Sequence, residues 1–194
     1  MNLFNNLPLY EAVIKDEFDG IEYIALTEKP ATDVKWLAFS NELKFTADEE
    51  KKIITGPIML AGVPIFRRTK ELGEFYVIYN ADTIKLMAEK MIKDNRCNFI
   101  NVEHLANSSL NGIHLIELYV KDSNRGVSPN EFSDVPDGSL FVTYKVENPD
   151  VWNLIKAGKF KGFSLEGLFT LETNNDEEDL EEIVTMIKKI RRIK

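Results

Sequence analysis

The chain has very few of the residues that build metal or disulfide sites. One cysteine, Cys97, and two histidines, His104 and His114, stand among 194 residues. A lone cysteine excludes an internal disulfide framework and fits a reducing cytosol. With so few sulfur and imidazole ligands the usual zinc clusters are missing, so no metal is expected. Long apolar runs are missing too: Ile58 to Val63, one of the longest, is far shorter than the roughly 20 residues a bilayer needs. The N-terminus, MNLFNNLPLYEAVIKDE, has no basic segment followed by an apolar stretch, so no signal peptide is expected. Basic residues are outnumbered, giving a net charge of −8, which disfavours nucleic acid as a partner. Neither GxxxxGKS nor GxGxxG occurs, so no nucleotide cofactor is expected. The acidic clusters lack calcium-loop spacing. A GxSxG elbow is absent as well, since "GFSLEG" has its glycines two before and three after the serine.

What is present describes a soluble globular protein. Hydrophobic content of 44% and charged content of 29% suit one domain with a sizeable core. The expected class is α+β, mainly β, with one domain over 1–171 and a charged amphipathic helical tail over 172–194. Tyr10 to Lys15 and Ile21 to Thr27 are expected to form a hairpin around the Asp-Gly of "DEFDG". "VKWLAF" (Val34 to Phe39) is a further candidate strand. The prolines of "IITGPIML" and "VPIFRR" point to edge or broken strands. "GEFYVIYN" (Gly73 to Asn80) is aromatic and β-branched, and so a strand. Asn80 or Asp82 then caps a helix whose Ile84, Met87, Ala88 and Met91 keep helical spacing. "NFINVEHL", "GIHLIELYV" and "SLFVTYKV" are strands. Between the last two, Lys121 to Gly138 is polar and expected to be a long mobile loop. Asn148-Pro149 caps and starts a second helix that Gly158 stops, with Val151, Leu154 and Ile155 on one face. Phe160 to Leu171 is one strand. In the tail, Leu180, Ile183, Ile187 and Ile190 form a stripe at near-heptad spacing, acidic before and basic after.

Ser164 raises the functional question. Gly162 and Gly167 bracket it, leaving space for a ligand and for free amide groups. Either it is a surface polar on a half-exposed strand, or it is a nucleophile, which needs a base, an orienting group and oxyanion donors. Of the two possible bases, His104 lies where strand gives way to loop. His114 alternates with Ile116 and Leu118, a setting for a structural residue. Three carboxylates could orient the base. Glu166 shares a face with Ser164 by alternation. Glu117 sits in an apolar strand where a buried charge requires a partner. Glu103 adjoins His104, but on a strand it faces the other way. Spacing leaves Glu117 and Glu166 level, with Glu103 behind.

The segments "GPIMLAGVPIFRR", "GEFYVIYNADTIKLMAEKM", "NVEHL", "HLIELYV" and "GSLFVTYKVENPDVWNLIKAGKFKGFSLEGLF" resemble, in the same order, the XkdF-like serine proteases of tailed phages. The likeness runs over Gly56 to Phe169, and its most specific parts are "EHL" and W-x-x-I-K-x-G-x-x-x-G-F-S-x-E-G. These proteins are similar to prohead (capsid maturation) proteases and, more distantly, to herpesvirus assemblins. The resemblance implies a compact β-barrel of mostly antiparallel strands with surrounding helices. It implies Ser164 as nucleophile, His104 as general base, and Glu117 or Glu166 as the third member. Gly162, Phe163 and Leu165 would face substrate or oxyanion. It further implies cleavage of phage scaffold and major capsid proteins, and of the enzyme itself, inside the assembling prohead in the host cytoplasm. A homodimer or higher oligomer is expected by the same analogy. No cofactor and no membrane partner are expected. Two readings compete with this one. The first is a non-catalytic capsid-assembly or scaffolding protein that keeps the protease fold. The second is an esterase-like hydrolase with a deep apolar pocket.

Overall fold

The computed structural model describes residues 7–28, 45–104 and 110–173. In chain order these form β1 (Leu9–Val13), β2 (Gly20–Thr27), β3 (Thr46–Asp48), β4 (Ile53–Met59), β5 (Ile65–Thr69) and β6 (Gly73–Ile78). Helix α1 (Ala81–Lys93) follows, then β7 (Ile100–Val102), β8 (Ile113–Val120) and β9 (Leu140–Val146). Helix α2 (Pro149–Lys156), β10 (Gly162–Leu168) and β11 (Thr170–Thr173) complete the described chain. The predicted strand at 34–39 and the helical tail fall almost wholly outside the described residues.

The strands form three sheets, ordered β11-β1-β6-β5, β10-β2-β7 and β3-β4-β9-β8. Among the described residues none closes into a barrel, and two pairings, β1 with β6 and β2 with β7, are parallel. The barrel expectation is therefore corrected to a mainly β fold of separate mixed and antiparallel sheets. One cause is legible at Phe169. The single strand expected over Phe160 to Leu171 is broken there, so β10 pairs with β2 and β11 with β1. One stretch of chain thus serves two sheets instead of continuing one.

The β1–β2 hairpin is also corrected, because β1 and β2 belong to different sheets. Asp19 explains the turn between them. Its carboxylate accepts from the amides of Lys15 and Asp16 and from the Thr170 hydroxyl. Those bonds hold the turn against β11 and swing the chain out of a two-strand ladder. Pro57 conforms to expectation in a different way. β4 is paired on both sides, but β3 reaches only residues 53–55, and the register with β9 shifts between Pro57 and Met59. The proline thus occupies a bulge with no partner on one side.

Both helices follow their sequence signals. The Asn80 side chain accepts from the Thr83 amide, and Ile84, Met87, Ala88 and Met91 are buried. Asn148 caps α2 with Pro149 in its first turn, and Gly158 takes a left-handed φ of +69° just after it. Trp152 is buried with Val151 and Ile155, whereas Leu154 is exposed. At the centre, Phe163 packs against the rings of Phe45 and Tyr144.

Residues 121–138, expected to be a mobile loop, are organised. They contain two 3-10 turns, and Phe132 and Val135 pack against Phe141, Leu60 and Val63. Lys121 is the pin. It is 3% exposed, and its ammonium donates to the carbonyls of Ser133 and Val135 and lies 3.5 Å from Asp137 Oδ1. A buried ammonium needs such partners, which is why this polar stretch folds back on itself.

Candidate active site

The three-stranded sheet carries the candidate residues. β10 pairs antiparallel with β2, setting Ser164 opposite Ala25 and Glu166 opposite Tyr23. β7 lies parallel on the other side, setting Asn101 opposite Ala25. Ser164, Ala25 and Asn101 thus form one row across the sheet and share a face. With strands about 4.8 Å apart, only the methyl of Ala25 stands between the two polar side chains. Glu166 follows two residues after Ser164 on the same face, as alternation requires. The register shift of β10 comes later, between Glu166 and Gly167. Gly167 makes that bulge possible: a Cβ there would stand 2.0 Å from the Gly20 carbonyl oxygen.

His104 reaches this face through an unusual backbone. Glu103 and His104 both have positive φ, 48° and 58°, a conformation that costs a non-glycine residue about 1–2 kcal/mol. Glu103 holds the turn. Its carboxylate accepts from Thr27 Oγ1 at 3.0 Å and from the Glu28 amide at 2.7 Å. The expected strand orientation of Glu103 therefore gives way to a left-handed turn, which redirects the next side chain. His104 Nδ1 lies 2.9 Å from Glu166 Oε1. The same oxygen accepts from Asn101 Nδ2 at 2.6 Å.

Asn101 is 2% exposed, and its Oδ1 has no hydrogen-bond partner. Leaving a buried acceptor unmade costs about 1–3 kcal/mol. The reversed amide would set Oδ1 against Glu166 Oε1, two acceptors at 2.6 Å, so the carboxylate dictates the orientation. An acceptor at Oε1 in turn calls for a proton on His104 Nδ1. In the neutral ring that leaves Nε2 as the free base.

Ser164 is 3% exposed. It lines a small cleft, with room for about one water, beside β10 and against Pro57 to Leu60. Ile65, Arg67, Tyr79, Phe163 and Leu165 complete the walls, and Arg67 is the one charged side chain among the described residues that line it. Burial pushes the Tyr79 phenol up, and the charge of the Arg67 guanidinium partly offsets this. Phe163 and Leu165 border the cleft, and the Phe163 ring packs into the core. Gly162 is buried opposite Thr27.

The other candidates lie elsewhere. Glu117 on β8 accepts from Thr143 Oγ1 at 2.5 Å, in a different sheet from His104. It also sits near Tyr119, whose phenol is pushed up to about 12, first by burial and then by the charges of Glu117 and Glu131. His114 is exposed and lies 3.7 Å from Glu147. Of the two carboxylates that spacing left level, Glu166 is the one that meets His104. Asn101 was not among the candidates. The signal for it was there, a polar residue between Ile100 and Val102 in a short apolar strand, the criterion that singled out Glu117.

Ser164 and the His104–Glu166 pair lie on one small mixed sheet, His104 and Glu166 standing apart from the cleft that Ser164 lines; serine, imidazole and carboxylate are the residue types of a serine hydrolase. Comparison with protein families narrows the class. Residues 42–172 match the model of the family described as "putative phage serine protease XkdF", and the chain belongs to that family. The comparisons with curated proteins and with solved structures returned no match.

Proposed function

We propose that the protein is a serine endopeptidase of the prohead maturation type, working through an acyl-enzyme at Ser164. The observation that carries this reading is the 2.9 Å contact between His104 Nδ1 and Glu166 Oε1, on the sheet face that displays Ser164. Ser164 Oγ attacks the scissile carbonyl carbon while its proton passes to His104 Nε2. The C–N bond then breaks, and the leaving amine takes that proton. Water, deprotonated by the same imidazole, hydrolyses the ester and frees Ser164. Glu166 keeps Nδ1 protonated and stabilises the imidazolium formed in each half-reaction. The Ser164–His104 hydrogen bond forms when substrate closes the cleft, since such bonds commonly tighten only in the complex.

The edge of the three-stranded sheet suits an extended peptide. β10 is an outer strand of its sheet among the described residues, so alternate backbone groups point away from β2 toward the cleft. Amides of the Gly162–Leu165 stretch are the proposed oxyanion donors. The substrates in this reading are scaffold and major capsid segments within the assembling prohead in the host cytoplasm, and the enzyme's own chain.

Co-expression with scaffold and capsid proteins, followed by intact-mass spectrometry, tests the proposal. Truncations that vanish in Ser164→Ala are the expected result. Identical masses for wild type and Ser164→Ala would overturn it in favour of a capsid-assembly protein that keeps the fold without the chemistry.

A further inference from the structure

We infer that Asn101 is a positioning residue that fixes Glu166, and through it the tautomer and orientation of His104. The inference rests on the peptidase reading for its consequence in catalysis, but its geometric part stands without it. Asn101 donates to Glu166 Oε1 at 2.6 Å, and His104 Nδ1 lies 2.9 Å from the same oxygen. Asn101 is almost wholly buried, whereas the side chains of His104 and Glu166 are 42% and 30% exposed. The two exposed members are therefore anchored by the buried one. A half-exposed glutamate has several rotamers available, and a donor fixed in the sheet selects the one that faces the imidazole. Ala25, fully buried, stands in the row between Asn101 and Ser164.

The other titratable groups placed around Asn101 are Glu103, turned to Thr27 and Glu28, and Tyr23 of β2 opposite Glu166. None of the hydrogen bonds formed by the described residues supplies Glu166 Oε1 with a third donor. Among the described residues, removing the Asn101 amide leaves the imidazole as the one polar group placed at that oxygen.

Two variants separate positioning from space-filling. Asn101→Leu keeps the bulk and removes the donor. Asn101→Asp keeps the shape and places a second carboxylate at Glu166, where the two groups share one proton at low pH and repel once both ionise. The protein has two histidines, so ¹⁵N-histidine labelling gives two imidazoles, with His114 as an internal control. At a pH where the rings are neutral, wild type is expected to hold His104 in the Nδ1–H tautomer. In Asn101→Leu it should become a mixture of tautomers, with His114 unchanged. At the same pH both carboxylates of Asn101→Asp are ionised and repel, so it too should lose the single wild-type tautomer. Cleavage follows the same order: kcat falls about tenfold to a hundredfold in Asn101→Leu with KM little changed. A His104 tautomer that stays wild-type in both variants would overturn the inference. The spectra are equally readable in Ser164→Ala, so loss of the peptidase reading would leave this test intact.

Discussion

Replacing Glu166 by glutamine separates the two carboxylates that spacing alone could not rank. Glutamine preserves the length and one acceptor oxygen, so Asn101 and His104 keep a partner while the charge is lost. The Nδ1 to Oε1 separation of 2.9 Å sets the charge centres of imidazolium and carboxylate about 4 Å apart. At an effective dielectric constant of about 20 such a pair is worth about 4 kcal/mol. Both side chains are partly exposed, 42% and 30%, so water screens the pair and about half of that, about 2 kcal/mol, is expected to survive. That energy stabilises the transition state, in which His104 gains its proton, more than the ground state. It translates into a fall in kcat/KM of about 30-fold. The assay is the rate of product accumulation from purified scaffold or capsid protein by intact mass, run beside Glu117→Gln. Glu117 is committed to Thr143 in another sheet, so its variant should stay within about twofold of wild type. A Glu166→Gln enzyme within threefold of wild type, or a Glu117→Gln enzyme as damaged as Glu166→Gln, would refute the assignment.

Three further outcomes follow from the packing. Lys121→Met should lower stability by about 2–4 kcal/mol in urea unfolding, because it keeps the stem but leaves the Ser133 and Val135 carbonyls without their charged donor; hydrogen exchange should rise first over 122–138. Gly167→Ala should destabilise by about 3 kcal/mol and abolish cleavage, since its Cβ meets the backbone of Gly20 at 2.0 Å and the bulge after Glu166 must open. Burial works against ionising Asp19, but donors from Lys15, Asp16 and Thr170 outweigh it and hold its carboxyl below the usual range. Its contribution is therefore complete above about pH 4 and lost as pH falls through the lowered value. Thermal melts of Asp19→Asn and wild type should differ at pH 7 and converge toward pH 2.

How much of this was legible depended on whether the signal was local. The capped helices could be read because Asn80, Asn148 and Gly158 act within a turn of their own positions. β6, β8 and β9 likewise follow their aromatic and β-branched runs. The β1–β2 hairpin failed because its Asp-Gly turn is diverted by a residue 151 positions away, Thr170 on Asp19. Nothing near Phe160 to Leu171 announces that the strand changes sheets at Phe169. The ordering of 121–138 rests on burying one ammonium, which a polar composition conceals. At the site, Glu166 could be placed beside Ser164 from alternation alone. Its meeting with His104 could not, since it needs two consecutive left-handed residues and a parallel pairing of β7 with β2. Asn101 belongs to the same non-local group: its partner lies 65 residues on.

The central claim is that Ser164 is an activated nucleophile, and covalent trapping tests it without knowledge of the natural substrate. A small fluorophosphonate, followed by proteolysis and peptide mass spectrometry, should place a single adduct on Ser164 in wild type and strongly reduce it in His104→Ala and Glu166→Gln. Adducts scattered over exposed serines, or a Ser164 adduct that forms equally fast without His104, would contradict the account.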